Sequence, residues 1–155
     1  KKILFPGKTD RPVKNYSFYN SVVTEYKKTH PNVEEVILDG LTRNEVSEQL
    51  KQGALLLMTS ISEGSPQIIK EALLSDLAII SSDVGDVANM MSTTPGTLVF
   101  KNETAEEVSL LIDETIKSAE HSPGLRRARV FELNLNQKNV IAKLTDIYLG
   151  VFKNA

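Results

Sequence analysis

Five short apolar runs alternate with longer amphipathic stretches along this chain of 155 residues. The runs have the length and composition of buried strands: Ile3–Phe5, Val36–Leu38, Ala54–Met58, Leu77–Ile80 and Thr97–Phe100. The stretches between and after them have helical spacing: Tyr16–Lys28, Asn44–Gln52, Pro66–Ser75, Val84–Met91, Ala105–Ala119, Pro123–Leu133 and Gln137–Phe152. Strands that alternate with helices are typical of a parallel sheet covered on both faces. We therefore predict one α/β domain, a doubly wound parallel sheet of about five strands with a helical C-terminal tail.

The composition excludes several kinds of site. Eighteen Lys and Arg against 20 Asp and Glu give a net charge of −2, which argues against a dedicated nucleic-acid binder. The chain has no cysteine, and its two histidines, His30 and His121, are far apart in sequence. We therefore expect no metal, no cofactor and no thiolate nucleophile. The apolar runs are also much shorter than the roughly 18 residues of a membrane span.

The predicted architecture indicates where a ligand would bind. In open α/β sheets the ligand lies beyond the carboxyl ends of the strands, among the loops that lead to helices. Four loops occupy that position here: Pro6–Asn15, Asp39–Asn44, Thr59–Ser65 and Ser81–Asp86.

The first of these loops is basic. Lys8, Arg11 and Lys14 lie within seven residues, directly after a predicted strand. At the edge of a sheet they could converge on a phosphate-bearing ligand, where Arg offers a planar fork and Lys a point charge. The alternative is a solvated loop in which Pro and Gly make the turns. The loop does not have the spacing of a P-loop.

The third loop leads into a helix with two flanking carboxylates. Ser65 is predicted to cap this helix, with Pro66 as its first residue, and its free N–H groups would attract a phosphate. Glu63 precedes the helix, whereas Gln67 and Glu71 share one of its faces. Two carboxylates beside a phosphate site could accept hydrogen bonds from vicinal hydroxyls of a sugar and a ribose. The alternative is a favourable helix-end charge for Glu63 and a solvent-facing Glu71.

Other polar features are interpreted as structural. In the fourth loop, Gly85 allows an unusual backbone conformation and Asp83 is predicted to cap a helix. The basic run Arg126–Arg129 is predicted to be a solvated helix face. Met90 and Met91 are predicted to pack in the core.

Taken in order, these loops resemble a known family. The run Ser60–Pro66, continued by Lys70–Ala72, resembles the donor-site motif of retaining GT-B glycosyltransferases of family four, with two glutamates separated by seven residues. Gly7–Asn15 is similar to that family's first loop, Ser82–Val87 to its next strand and loop, and Leu144–Phe152 to its terminal helix. The match spans nearly the whole chain. It implies a Rossmann-like domain, the C-terminal, nucleotide-sugar-binding half of such an enzyme.

The resemblance also implies roles for particular residues. Lys8 and Lys14 would neutralise the diphosphate leaving group, and Arg11 could supply the fork that Lys8 lacks where the family usually has Arg. Glu63 would contact the donor sugar near its reacting carbon, and Glu71 would hold the ribose hydroxyls. Backbone amides over the segment formed by Gly64, Ser65, Pro66 and Gln67 would bind phosphate or sugar oxygens. The implied reaction is glycosyl transfer with retention and without a metal.

The implied partner is a nucleoside-diphosphate sugar of the UDP or GDP type. An acceptor glycan or lipid-linked sugar would bind a separate N-terminal domain, so we expect this chain, which begins at Lys1, to be a piece of a longer enzyme. Alone it would bind donor weakly and transfer nothing. The implied setting is cytoplasmic surface-polysaccharide synthesis, with peripheral membrane association of the full-length enzyme. The stretch from Lys14 to Glu63 is one strand–helix unit shorter than is common in the family, and that unit helps to build the nucleobase pocket.

Two other functions match the sequence less well. A Rossmann-like small-molecule or signalling module would be expected to carry an acidic cluster after its first strand, whereas this loop is basic from Lys8 to Lys14. A GT-B sugar-nucleotide epimerase matches less well, because the Glu63–Glu71 spacing and the Ser81–Val87 loop fit transferases better.

Overall fold

The predicted sheet is confirmed in the computed structural model, which describes residues 1–135 and 139–146. Its strands are β1 (Lys2–Phe5), β2 (Glu34–Ile37), β3 (Leu55–Met58), β4 (Ala78–Ser82) and β5 (Thr97–Phe100). All neighbouring strands pair in parallel, in the spatial order β2-β1-β3-β4-β5. Each strand lies within two residues of its predicted position at either end. The chain leaves β1 towards β2 and returns to β3 on the other side, which makes the β1–β3 boundary a topological switch point.

The helices follow the predicted alternation. They are α1 (Tyr16–Lys27), α2 (Arg43–Gln52), α3 (Gln67–Leu74), α4 (Val87–Met91), α5 (Ala105–Leu110), α6 (Ile112–Glu120) and α7 (Leu125–Glu132). The single helix predicted over Ala105–Ala119 is divided, because the Leu111 N–H bonds to the Val108 carbonyl in a tighter turn. Residues 139–146 are also helical, and the rest of the predicted Gln137–Phe152 helix lies outside the described residues. None of the described helices is both long and apolar enough to cross a membrane.

Alternating side chains of the strands pack two separate cores. Leu55 and Leu57 of β3 face the core formed with α1, α5 and α6, whereas Leu56 and Met58 face the core formed with α2, α3, α4 and α7. A central strand buried on both faces explains why its sequence is a continuous apolar run. Met90 and Met91 are buried in the second core, as predicted.

Two helices begin with reciprocal side-chain caps. The Thr42 hydroxyl accepts a hydrogen bond from the Glu45 N–H, and the Glu45 carboxylate accepts one from the Thr42 N–H. Thr104 and Glu107 make the same pair of bonds at the start of α5. Each box satisfies backbone donors that the helix itself cannot.

The basic run Arg126–Arg129 is not a solvated helix face. Arg126 is only 1% exposed. Its guanidinium donates to the carbonyls of Asp76 (3.0 Å), Pro95 (2.9 Å) and Ala119 (2.9 Å), and lies 3.3 Å from the Asp76 carboxylate. Burial lowers the pKa of Arg126, and the Asp76 charge opposes that effect. This side chain therefore joins α6 and α7 to the segment between α3 and β4.

We predict that Arg126→Met lowers the free energy of unfolding by about 3 kcal/mol. The substitution leaves buried carbonyls without a hydrogen-bond donor and the Asp76 carboxylate without its counter-charge. Urea unfolding followed by circular dichroism measures the loss. Arg127→Met is the matched control, because the exposed Arg127 makes one hydrogen bond within residues 1–135 and 139–146, to the Leu74 carbonyl. It should cost less than about 1 kcal/mol. Equal losses in the two variants would contradict the assignment of Arg126 as a buried tie.

Candidate functional site

The loop after β1 is shaped so that its last lysine folds back over its first glycine. Residues Pro12–Lys14 form one 3₁₀ turn, and Asn15 takes a left-handed conformation, with φ 52°, before α1 begins. Gly7 has a φ of 142°, and a Cβ placed there would lie 3.2 Å from Cε of Lys14. A side chain at position 7 would therefore be strained and would crowd the lysine.

This first loop is tied to the end of β3. The Thr59 hydroxyl, in a residue only 1% exposed, donates towards the carbonyls of Lys14 (3.1 Å) and Asn15 (3.0 Å). The Ile61 N–H donates to the Val13 carbonyl at 2.8 Å. These bonds place the basic loop beside the loop that contains Glu63, across the topological switch point.

Lys14 and Glu63 meet in a direct ion pair. The Lys14 Nζ lies 2.6 Å from Oε1 of Glu63, and the two side chains are 17% and 20% exposed. The Ser60 hydroxyl donates to the same oxygen at 3.0 Å. Burial alone would raise the pKa of the Glu63 carboxyl, but the hydrogen bonds from Lys14 and Ser60, with the charges of Lys14 and Arg11, hold it below its ordinary value. Glu63 is therefore a carboxylate at neutral pH.

Six of the nine predicted site residues line one cleft of about 360 Å³. They are Lys8, Arg11, Lys14, Pro66, Gln67 and Glu71. The opposite wall includes Leu38, Asp39 and Val46, which follow β2 or belong to α2. The cleft therefore combines three cations with one face of α3 at the carboxyl edge of the sheet. Glu63 adjoins it through its contact with Lys14.

Gly64 and Ser65 turn away from this cleft, towards the loop before α4. The Asp86 N–H donates to the Gly64 carbonyl at 3.1 Å, and the Ser65 hydroxyl donates to the Asp86 carboxylate at 2.7 Å. The prediction that Ser65 caps α3 is wrong, because the N-cap residue is Pro66, which makes no side-chain cap bond. Its ring also has no N–H, so Pro66 cannot be one of the predicted amide donors.

The start of α3 nevertheless exposes backbone donors. The Ile69 N–H bonds to the Pro66 carbonyl, and within residues 1–135 the N–H groups of Gln67 and Ile68 have no such partner. Unpaired N–H groups at a helix start carry partial positive charge and bind anions. The N–H groups of Gln67 and Ile68 therefore lie at the wall of the cleft, which both residues line.

The predicted cap at Asp83 is also wrong. Helix α4 begins at Val87 with Asp86 at its N-cap, whereas Asp83 lies 3.0 Å from the Lys101 ammonium. The start shifts because Gly85 takes a left-handed conformation, with φ +55°, that turns the chain first. A Cβ at Gly85 would lie 1.9 Å from the Gly64 carbonyl oxygen, so the backbones of the two loops are in direct contact at this point.

A larger groove of about 510 Å³ lies further along the same edge, between α1 and the ends of β4 and β5. The rings of Phe18 and Phe100 stack there with centroids 5.5 Å apart, and Asp83, Lys101 and Ser60 also line it. None of the nine predicted residues lines this groove. The smaller cleft is therefore the candidate site, because the cations and the open helix start are there.

Three supporting residues were not predicted from the sequence: Thr59 and Ser60, which hold Lys14 and Glu63 in place, and Asp86, which binds the segment before α3. Each is a short polar side chain at the end of a strand or the start of a helix. The signal available was position, since a hydroxyl that directly follows a buried central strand needs a hydrogen-bond partner. Which partner it finds depends on the neighbouring loop.

Comparisons with known proteins find solved structures only. No protein-family model and no curated protein matches the chain. A glycosyltransferase from Rickettsia africae is similar in structure, with a TM-score of 0.74 and 14% identity over 99% of this chain and 48% of that one. The C-terminal domain of a glycosyl transferase group 1 family protein (LpcC) from Francisella tularensis gives 0.64 and 12% over 84% of each chain. HepE from Anabaena, crystallised with UDP-glucose, gives 0.65 and 12% over 92% of this chain and 48% of its own.

These likenesses confirm the fold. The chain has the architecture of one half of a GT-B glycosyltransferase, a Rossmann-like parallel sheet with helices on both faces. It spans 36% to 48% of the length of the first structures it matches, among them a pneumococcal O-GlcNAc transferase and a sucrose-phosphate synthase from Thermosynechococcus elongatus.

We predict that Glu63→Gln lowers the free energy of unfolding at pH 7 by about 1 kcal/mol, because the substitution removes the negative charge from its partly buried ion pair with Lys14. The folded carboxyl has a lowered pKa, so its stabilisation is complete above the ordinary value of 4.5 and is lost as the pH falls through the folded value. The gap between wild type and variant should therefore close on acidification, as measured by urea unfolding at pH 7 and below pH 4.5. Glu71→Gln, exposed and outside the pair, should cost less than about 0.5 kcal/mol at pH 7.

We also predict that Gly85→Ala is far more damaging than Gly40→Ala. Both glycines have a positive φ, but a Cβ at Gly40 meets nothing within 4 Å. Gly40→Ala should therefore cost only the left-handed strain of about 1 kcal/mol, whereas Gly85→Ala adds a clash with the Gly64 carbonyl and should cost more than about 2 kcal/mol. Thermal unfolding of both variants measures the difference. Similar midpoints would show that the two loops do not touch as described.

Proposed function

We propose that this chain is the donor-binding half of a glycosyltransferase and that its cleft holds a nucleoside-diphosphate sugar of the UDP or GDP type. The observation that carries the proposal is the single cleft shared by the basic loop after β1 and the open start of α3. A diphosphate needs positive charge and hydrogen-bond donors from more than one direction, and the cleft supplies both. Several structures with the same fold were crystallised with UDP or UDP-glucose.

The diphosphate would be held by Lys8 and Arg11 together with the amides of Gln67 and Ile68. Lys8 and Arg11 are exposed and form no ion pair within the described chain, so a ligand phosphate would give each of them a direct ionic contact. Arg11 can bind two phosphate oxygens through its fork, which Lys8 cannot. The start of α3 adds its fixed dipole from the other side of the cleft.

The ribose would be held by Glu71. This carboxylate lies four residues after Gln67, about 6 Å further along the helix axis at 1.5 Å per residue. That displacement is comparable with the distance from a phosphate to the hydroxyls of the ribose attached to it. An exposed carboxylate accepts hydrogen bonds from two neighbouring hydroxyls at once.

The sugar would lie beside Glu63, with Lys14 next to the bond that breaks. As the diphosphate leaves, negative charge builds up on its oxygens, and preorganised cations there lower the barrier. Lys14 is already fixed by Glu63, so it would not have to be ordered during the reaction. Transfer with retention, of a hexose and by a family-four enzyme, is the finer form of this proposal and rests on the Glu63–Glu71 spacing.

The remaining elements of the proposal concern the whole enzyme. Because this chain spans 48% or less of the first structures it matches, acceptor binding is assigned to a separate N-terminal domain. The acceptor would be a glycan or lipid-linked sugar in surface-polysaccharide synthesis, at the cytoplasmic face of a membrane. The chain alone would bind donor and transfer nothing.

Calorimetric titration of the chain with UDP, GDP, UDP-glucose and inorganic pyrophosphate tests the proposal. Glu71→Ala should weaken the binding of nucleoside diphosphate about tenfold and leave pyrophosphate unchanged, because only the former has ribose hydroxyls. Lys8→Ala should weaken both ligands. Lys51→Ala is the matched control, because Lys51 belongs to α2 and pairs with Glu48 outside the cleft.

Two results would contradict the proposal. If neither nucleoside diphosphate nor nucleotide sugar binds the wild-type chain, the donor site is not in this cleft. If Glu71→Ala weakens pyrophosphate as much as UDP, Glu71 does not hold the ribose. A third result would favour the alternative function. If UDP-glucose binds with the same affinity as UDP, the sugar makes no contact with the cleft, as expected of a small-molecule or signalling module.

A further inference from the structure

Ser60 is a buried hydroxyl that contacts the candidate site without lining its cleft. It is 2% exposed and directly follows Thr59 at the end of β3. Its carbonyl accepts a 2.6 Å hydrogen bond from the Ser82 hydroxyl, which fixes its backbone to the end of β4. Its own hydroxyl donates to Oε1 of Glu63 at 3.0 Å. Ser60 is therefore held on one side by the sheet and bonds to Glu63 on the other.

The two oxygens of the Glu63 carboxylate have different surroundings. Oε1 accepts from both the Lys14 ammonium and the Ser60 hydroxyl. Among residues 1–135 and 139–146, Oε2 has no hydrogen-bond partner. Two donors at one oxygen fix the plane of the carboxylate as well as its position, whereas a single ammonium would allow it to rotate. The second oxygen is thereby left to accept from a bound molecule.

We propose that Ser60 is a positioning residue: its hydroxyl fixes the Glu63 carboxylate so that Oε1 is held with Lys14 and Oε2 accepts a hydroxyl of the donor sugar. The inference rests on the proposed function, in which the sugar lies beside Glu63. Ser60 itself need not touch the ligand. Its contribution is to remove rotational freedom that the carboxylate would otherwise lose on binding.

The positioning role is tested without any ligand. The pKa of Glu63 is measured by NMR titration of its side-chain carboxyl carbon in wild type, Ser60→Ala, Ser60→Thr and Ser62→Ala. Ser60→Ala removes a donor to the charged form, so the pKa of Glu63 should rise. Ser60→Thr keeps a hydroxyl on the same Cβ and should stay close to wild type. Ser62 is exposed and two residues away, so Ser62→Ala should not change the value.

The consequence for binding is tested by calorimetry with UDP and UDP-glucose. Ser60→Ala should reduce the preference for UDP-glucose over UDP about fivefold while leaving UDP itself unchanged, because the affected oxygen would meet only the sugar. Ser60→Thr and Ser62→Ala should keep the wild-type preference. A general loss of packing would instead weaken both ligands together.

The outcomes separate this inference from the function it rests on. An unchanged Glu63 pKa in Ser60→Ala, or equal changes in Ser60→Ala and Ser60→Thr, would overturn the positioning role. If Ser60→Ala does not fold, Ser60→Cys decides instead: a thiol occupies nearly the same space but is a much weaker donor, so the pKa of Glu63 should still rise, and an unchanged value would overturn the positioning role. If the titrations agree with the proposal but wild type binds neither ligand, Ser60 positions Glu63 and the donor-binding function is wrong.

Discussion

The hydrogen bonds between the loops after β1 and β3 are the constraint on which the site depends. Parallel strands bring their carboxyl ends to one edge, but they do not by themselves align the loops that follow. Here the Thr59 hydroxyl bonds to two carbonyls of the first loop, and the Ile61 N–H bonds to a third. The basic loop is therefore held through its own backbone carbonyls. The ion pair between Lys14 and Glu63 therefore forms between loops that other hydrogen bonds already hold together.

Charge in the cleft is divided between residues that are already paired and residues that are not. The ion pair of Lys14 and Glu63 is mutually compensated, so it can be partly buried at limited cost in desolvation. Lys8 and Arg11 remain in solvent and can exchange water for a ligand anion. Such a division is expected where one part of a site must be fixed beforehand and another must attract the ligand. A chain with a net charge of −2 can thus carry a local basic surface.

The sequence was sufficient for the sheet but not for the details that tie the loops. Buried parallel strands are continuous apolar runs, so all five could be located from local sequence. The convergence of the basic loop on the α3 face followed from topology. Arg126 was misread because its partners are carbonyls of Asp76, Pro95 and Ala119, which only the tertiary fold brings together. Ser65 was misread for the same reason, since Asp86 offers its hydroxyl a better partner than the helix does.

Helix α3 shows why these long-range bonds matter to the site. A helix of eight residues is not stable by itself, because its few hydrogen bonds do not repay the cost of nucleation. At its start, the Gly64 carbonyl and the Ser65 hydroxyl bond to Asp86, and at its end Arg126 binds the segment that follows it. Its buried face packs against the sheet. With both ends and one face held, the remaining face presents Gln67 and Glu71 in a fixed position. The buried Arg126 binds the segment after α3, at the end of the helix away from the cleft, and so helps to hold the helix whose face lines the cleft.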